Sequence, residues 1–280
     1  MGLKDIKIRM QAIKKTASIT QAMHNIALSK IRKSTELLNH SQAFMKDIHH
    51  VLLYANNNLD EKHRLTTPND GDKKLFILVT SDRGLAGSYH SQLFKTFLQD
   101  IKDLDKEKFQ VFVIGKKGFY FAQKHKLPLV NEEIIYNRDD ITTMFFRHYA
   151  SLIKEVFLKG FIDQVEIYHN HYINTATQEV HKAVILPLVF NEEKAENDQY
   201  IYDESPEVVL DKTMNVYVES RIFEAIADAK LSEHASRMIA MKNATDNANE
   251  IVDQLSIVYH RERQREITNE IIDVVNGANV

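Results

Sequence analysis

The chain of 280 residues contains no cysteine and no tryptophan. The absence of cysteine excludes disulfide bonds, thiol catalysis, thiol regulation and cysteine-based metal sites. A helix needs about eighteen apolar residues to cross a bilayer, and no apolar run approaches that length. We also expect no signal peptide before the first charged segment. We therefore expect a soluble intracellular protein whose association with a membrane, where it occurs, is through partner proteins.

Glycine and proline are missing from two long stretches of the sequence. Residues 3–54 contain neither, and none occurs between Pro206 and Gly277. Because these two residues interrupt or end helices, their absence predicts two uninterrupted helices. The second, of roughly seventy residues, would be about 100 Å long at 1.5 Å per residue. A helix of that length cannot bury its apolar face against a compact core, and it needs an equally long partner.

The first stretch carries a repeat of apolar, small and polar residues that are alternately four and three positions apart. Its members are Ile6, Met10, Ile13, Ala17, Thr20, His24, Ala27, Ile31, Ser34, Leu38, Ser41, Met45, Ile48 and Leu52. This spacing is that of a coiled-coil seam, which the polar members make weaker than an aliphatic zipper.

The second stretch carries a matching stripe at helical spacing. Its members are Leu231, Ala235, Met238, Met241, Ala244, Ala248, Ile251, Leu255 and Val258. Residues 1–33 hold eight basic residues and one acid, whereas residues 207–280 hold thirteen acids and eight bases, so the charges favour pairing. We predict a long antiparallel coiled coil of the N- and C-terminal helices. The alternative, two ordinary helices folded back on one domain, needs a break that no residue in the second helix provides.

Between the helices, short apolar runs alternate with helical stretches. Four strands are predicted, at 75–80, 109–114, 165–172 and 180–189, and the last two are suited to antiparallel pairing. Helical spacing occurs at 88–101, after Gly115, and at 139–159. This alternation predicts an α/β fold. The expected organisation is an N-terminal coiled-coil helix over 1–57, a central Rossmann-like α/β domain over 74–190, and a C-terminal coiled-coil helix over 207–280.

The turn TSDRGLAGSYHS follows the first predicted strand, where a phosphate-binding loop would lie. Its glycines do not form G-x-G-x-x-G, and the chain has no G-x-x-x-x-G-K-[ST] motif. We interpret Ser81, Asp82, Arg83 and Gly84 as a structural turn of the head domain. In it Asp82 and Arg83 pair with each other or cap the turn, and Gly84 takes a positive φ.

Thirteen histidines raise the question of a metal site. His169 and His171 alternate on one strand face, but the neighbouring sequence offers no third ligand and no H-E-x-x-H motif. No serine lies in a G-x-S-x-G setting. The basic N-terminal helix has no aromatic residue before Phe44, which disfavours binding to nucleic acid. We predict no catalytic residue, no metal and no cofactor on this chain.

Five segments of the sequence resemble one family in order and spacing. They are ITQAMHNIALSKIRKS (19–34), TSDRGLAGSYHS (80–91), IYHNHYINTATQEVHKAVILPL (167–188), SEHASRMIAMKNATDNA (232–248) and YHRERQREITNEI (259–271). The family is the gamma subunit of the F-type, proton-translocating ATP synthase. The resemblance runs from one end of the chain to the other.

The resemblance implies a central rotor stalk without catalytic residues of its own. In the family, the coiled coil stands inside a hexamer of three alpha and three beta subunits. The α/β domain lies at its foot, against the epsilon subunit and the membrane c-ring. Rotation couples ion flow to ATP synthesis or hydrolysis at the beta subunits. The implied location is the cytoplasmic face of the cell membrane, with peripheral attachment through the complex and no nucleic-acid partner.

The resemblance also implies which residues meet partners. Arg263 and Gln264 are expected to contact a loop of a beta subunit, with Met23 near the same rim. Tyr200 and Tyr202 are expected near the membrane ring and epsilon. Two other classes remain open on the sequence, a non-rotary structural coiled-coil adaptor and a nucleic-acid-binding coiled coil. Co-purification with a catalytic hexamer would separate them from a rotor.

Overall fold

A computed structural model describes residues 2–69, 71–139, 143–190 and 203–278. In chain order its main elements are α1 (Leu3–Asn57), β1 (Lys74–Val79), α2 (Tyr89–Asp100), β2 (Phe109–Ile114), α3 (Lys116–Lys124), α4 (Thr143–Leu158), β3 (Gln164–Tyr172), β4 (Gln178–Leu186) and α5 (Pro206–Ala278). The chain divides into two compact units. The head unit is Ser29–Ser236, and the coiled-coil unit combines Met1–Leu28 with Arg237–Val280. The two long helices, predicted from the missing glycine and proline, are confirmed.

The head unit is built on one mixed sheet with the strand order β2-β1-β3-β4. The central strand β1 is parallel to both of its neighbours, β2 and β3. The edge strand β4 pairs antiparallel with β3, as the sequence predicted for the last two strands. This arrangement confirms an α/β domain whose strands are joined by helices that cross over the sheet.

Alternate residues of the strands face two separate cores. On β1, Leu75, Ile77 and Val79 face one side, which is covered by α4 and by the head-unit parts of α1 and α5. Phe76 and Leu78 face the other side, beneath α2 and α3. Since both faces are buried, the strand reads as a continuous apolar run rather than an alternating one. The head unit therefore has three layers, with the sheet between two layers of helices.

In the coiled-coil unit, α1 and α5 run antiparallel. The ring Nδ1 of His24 donates to the carbonyl oxygen of Met238 at 3.0 Å, and the hydroxyls of Thr20 and Thr245 lie 2.6 Å apart. The residue numbers fall along α1 while they rise along α5, which fixes the antiparallel sense. Every residue of the predicted α1 seam that lies in this unit, from Ile6 to Ala27, is buried or half-buried.

The predicted α5 stripe needs one correction. Ile251 and Val258 are 41% and 45% exposed, so they do not lie in the seam. Val252 and the half-buried Tyr259 occupy it instead. Together with Met241, Thr245, Ala248 and Leu255, they continue a strict alternation of steps of four and three. The prediction was based on apolar residue types. The residues that face the partner helix are instead those at heptad spacing, and they include a threonine and a tyrosine.

Candidate functional site

The turn after β1 is held by the side chain of Asp82. Its Oδ1 accepts hydrogen bonds from the backbone N–H of Lys116 at 2.9 Å and of Asn137 at 3.2 Å. Lys116 is the first residue of α3, so the carboxylate caps that helix and complements its positive end. The sequence predicted that Asp82 pairs with Arg83 or caps its own turn, whereas these bonds join the turn to two other segments of the head unit. The capping carboxylate occupies the place where a phosphate would bind to the N-terminus of α3.

The other residues of this turn have structural contacts. The hydroxyl of Ser81 donates to the carbonyl oxygen of Arg83 at 2.8 Å and lies 2.7 Å from Nε2 of His90. Arg83 is exposed.

The prediction that Gly84 has a positive φ is wrong. Within this turn the left-handed residues are Leu85, with φ of 60°, and Gly87, with φ of 56°. The prediction chose a glycine because a side chain disfavours positive φ. Leu85 nevertheless adopts this conformation, and the residue is 65% exposed.

The last part of α5 has no helix to pair with among the residues that the structure describes. After the half-buried Glu262, every side chain of residues 263–274, here called the α5 tip, is exposed. Arg263 and Gln264, the predicted beta-subunit contacts, are the first two residues of the tip. The neighbouring Arg265 forms an i,i+3 ion pair with Glu262 at 3.2 Å. Among the described residues, no such ion pair is formed by Arg263.

The apolar residues of the tip lie on a different face from the coiled-coil seam. Ile267, Ile271 and Val274 share one face and are 43%, 58% and 71% exposed. At 100° per residue this face is rotated by about 120° from the seam. The positions that would continue the seam are polar, at Glu266, Asn269 and Asp273. The tip is therefore not a frayed end of the coiled coil, because its apolar face points away from where α1 would lie.

The remaining predicted partner residues divide into one that the structure describes and two that it does not. Met23 is half-buried on α1, next to His24, in the coiled-coil unit. Tyr200 and Tyr202 lie outside the described residues, as does the acidic tract 192–198.

A histidine cluster was only partly foreseen from the sequence. His169 and His171 lie on one face of β3, as predicted, and the third group beside them, which the neighbouring sequence did not offer, is Asp228 of α5. All three belong to the head unit. Since Asp228 is 57 residues away from His171, no local motif indicated the cluster.

Among the described helices, none contains a stretch that is both long and apolar enough to cross a lipid bilayer.

Comparisons with known proteins cover the whole chain. The family model described as ATP synthase matches residues 2–280. The ATP synthase gamma chain of Macrococcus caseolyticus (strain JCSC5402) is 34% identical over 283 aligned residues. That alignment covers 99% of this chain and 98% of the relative.

Solved structures with a similar fold are parts of mitochondrial ATP synthases. One is from the central stalk and c-ring assembly of Tetrahymena thermophila, with a TM-score of 0.64, 23% identity, and coverage of 81% of this chain and 99% of that chain. Another is from the OSCP/F1/c-ring assembly of Euglena gracilis, with a TM-score of 0.70, 18% identity, and coverage of 99% and 93%. At these identities the likeness establishes the fold.

Proposed function

The chain belongs to the ATP synthase gamma-chain family and is the central-stalk rotor of that enzyme. On this basis we propose that its α5 tip turns inside a hexamer of three alpha and three beta subunits. A turning shaft that presents a different side to each beta subunit shifts the nucleotide sites in turn between conformations of different affinity. The chain then supplies no catalytic group, and it couples ion flow to ATP synthesis or hydrolysis by its shape and surface.

The observation that carries this proposal is the unpaired, exposed apolar face of the α5 tip. Ile267, Ile271 and Val274 form a contiguous apolar stripe, whereas exposed apolar residues on most surfaces are scattered singly. Because the stripe is rotated by about 120° from the seam, a helix that pairs with α5 along the seam leaves the stripe uncovered. A surrounding sleeve of apolar residues from other subunits fits the face, and an apolar contact without directional bonds permits rotation.

The outer faces of the coiled-coil unit also fit an enclosing partner. On α1, Ile8, Ile19 and Ile26 are 55%, 61% and 58% exposed. Ile257 of α5 is 66% exposed. We place Met23, Arg263 and Gln264 at the rim of the beta subunits, where the apolar tip begins and the first polar contacts are available.

We propose that the head unit meets epsilon and the c-ring. The contact would be formed by residues 198–212, in which Tyr200 and Tyr202 are the aromatic members. Replacing both tyrosines by alanine should weaken coupling to proton flow more than ATP hydrolysis by the soluble hexamer. Equal loss of both activities would argue against this placement. The chain would be held at the cytoplasmic face of the cell membrane through these partners alone.

Single-molecule rotation tests the proposal against the adaptor alternative. The hexamer is fixed to a surface, and a bead is attached to the head unit of the assembled gamma chain. ATP-driven stepwise rotation supports a rotor, whereas stable binding without rotation supports an adaptor. The charge-introducing variant Ile271→Glu should impair assembly or rotation. Ile173→Glu, in an exposed position of the head unit that is 47% accessible, is the matched control and should leave both unchanged.

A further inference from the structure

The head unit contains a cluster of nitrogen and oxygen ligands that rotor function does not require. It lies where β3 and the edge strand β4 pass beneath α5. His169 and His171 lie on one face of β3, because residues two apart on a strand point the same way. His181 of β4 is the direct cross-strand partner of His169, and their ring centroids are 5.2 Å apart. Three imidazoles therefore meet on one face of the sheet.

Asp228 completes the cluster from the helix side. Its Oδ2 lies 3.1 Å from Nε2 of His169 and 2.6 Å from Nδ1 of His171. Its other oxygen, Oδ1, accepts a hydrogen bond from the backbone N–H of Tyr172 at 2.9 Å. That bond fixes the orientation of the carboxylate and leaves Oδ2 directed at the two rings, which is the arrangement that second-shell hydrogen bonds give to metal ligands.

We propose that His169, His171 and Asp228 bind a divalent transition metal ion of the zinc type. One donor atom from each residue lies within 4.8 Å of the others. In a tetrahedral zinc site with bonds of about 2.0–2.1 Å, donor atoms are about 3.3 Å apart. The observed N···O separations of 3.1 and 2.6 Å are shorter than this by about 0.2 and 0.7 Å, so the His171 ring and the carboxylate would have to move apart to admit the ion.

The types of donor atom in the cluster indicate which metal ion would bind. Two imidazole nitrogens and one carboxylate oxygen suit Zn²⁺ and its neighbours in the first transition row, whereas Mg²⁺ and Ca²⁺ prefer oxygen ligands alone. A cavity of about 110 Å³ adjoins the three ligands and is also lined by His181. The fourth coordination position is thus open to water or to the His181 ring.

Burial and charge support a bound cation. Asp228 is 5% exposed, and a carboxylate so buried is costly unless positive charge or hydrogen bonds compensate it. The guanidinium of Arg221 lines the same cavity and would repel a cation, but it is ion-paired with Glu224.

The proposed ion would join the sheet to the C-terminal helix within the head unit. Two ligands come from β3 and one from α5, elements that are far apart in the chain. With His181 as the fourth protein ligand the site would be of the structural kind, which adds its binding free energy to the stability of the fold. The consequence for the protein is a stiffer connection between α5 and the sheet.

Metal binding by the full-length, untagged chain tests the proposal directly. The chain is stripped with a chelator, and Zn²⁺ binding is measured by competition with a chromophoric chelator. We expect one equivalent of Zn²⁺ to bind, and Co²⁺ to give the visible absorption of a tetrahedral site. His171→Gln, in a half-exposed position, should weaken binding at least about tenfold, as should His169→Gln. His125→Gln, an exposed histidine at the end of α3, is the matched control and should bind as the wild type does.

The change in Tm on adding Zn²⁺ is measured for each variant, so a difference in stability between the variants does not affect the comparison. Zn²⁺ should raise the Tm of the wild-type chain and of His125→Gln, but not that of His171→Gln. If the wild-type chain binds no Zn²⁺, or if His171→Gln and His125→Gln bind it equally well, the three residues form only a hydrogen-bonded cluster and the proposal is wrong.

Discussion

The hydroxyl groups of Thr20 and Thr245 lie 2.6 Å apart across the two helices of the coiled-coil unit. Thr245 is 6% exposed and lies in the seam between Met241 and Ala248. Thr245 also donates to the carbonyl oxygen of Met241 at 2.9 Å. The two hydroxyls meet only when the helices are in one register, so this polar pair within the seam favours one alignment of the coiled coil.

Removing either hydroxyl should cost stability, and removing both should cost less than the sum. We expect Thr20→Val and Thr245→Val each to lower the free energy of unfolding by about 1 kcal/mol, since the contact between the two helices is lost while the remaining hydroxyl keeps only the carbonyl acceptor of its own helix. The double variant should show a coupling of about 0.5–1.5 kcal/mol in a double-mutant cycle. Urea unfolding followed by circular dichroism measures this. Thr16→Val, at an exposed position one turn away, should change stability by less than about 0.5 kcal/mol. Strictly additive effects would show that the hydroxyl contact contributes nothing.

The turn after β1 provides a second prediction. Asp82→Ala removes the acceptor for the N–H groups of Lys116 and Asn137, and unfolding should become easier by about 1–3 kcal/mol. Arg83→Ala, at the next and exposed residue, should have an effect within about 0.5 kcal/mol. Chemical denaturation of the two variants checks both statements. Similar stabilities for the two would mean that water replaces the cap without loss.

The long helices could be predicted from the sequence because two local signals agree. The lack of glycine and proline and the spacing of Ile6, Ala17 and Ala27 both specify a continuous helix with one buried face. The face of α5 was less well predicted at Ile251 and Val258. Apolar residue type and heptad spacing disagree there, and only the position of α1 decides between them.

Contacts between distant parts of the chain could not be predicted in the same way. The approach of Asp228 to His169 depends on how α5 packs on the sheet, which no local pattern encodes. The conformation of Leu85 is a similar case. Ser81 bonds to Arg83 and His90, and Asp82 bonds to Lys116 and Asn137, so the path of this turn depends on contacts that the position of a glycine does not encode.

Acidification should destabilise the head unit through His63. Burial lowers the pKa of His63, and the nearby charge of Lys154 adds to this, while Asp211 and Glu207 oppose it. Its Nδ1 accepts a hydrogen bond from the backbone N–H of Leu65 at 3.2 Å, which requires that nitrogen to be unprotonated.

The sign of the pH effect follows from proton binding. The unfolded chain titrates this residue at about pH 6.5, and the folded chain titrates it lower, so in between the unfolded state binds more protons. Stability contributed by neutral His63 is present above about pH 6.5 and is lost as the pH falls through the folded value. Unfolding measured between about pH 7 and pH 5 should show a smaller pH dependence for His63→Gln than for the wild type. If the free energy of unfolding depends equally on pH in His63→Gln and in the wild type, His63 is not the residue responsible. His125→Gln is the control for the loss of a histidine.

Arg263 and Gln264 are the polar residues at the start of the α5 tip, and we expect them to transmit torque. Both side chains are exposed and available to a partner. A guanidinium presents a rigid fork of donors to a carboxylate, and the adjacent amide adds one donor and one acceptor. A charge-assisted hydrogen bond contributes about 1.5–3 kcal/mol, which is enough to favour one rotor angle without locking the shaft.

Replacing both residues by alanine should therefore slow ATP-driven rotation and ATP synthesis by about tenfold or more, while the head unit stays folded. Arg265→Ala is the matched control. Arg265 is already engaged by Glu262 within the same helix, at 3.2 Å, so its loss should remove little that a beta subunit uses. Rotation of single assembled complexes, with circular dichroism to confirm folding, separates the two cases. If the double variant assembles and rotates at the wild-type rate, the arginines of this stretch are only a solvated surface, and torque passes through the apolar face of the tip alone.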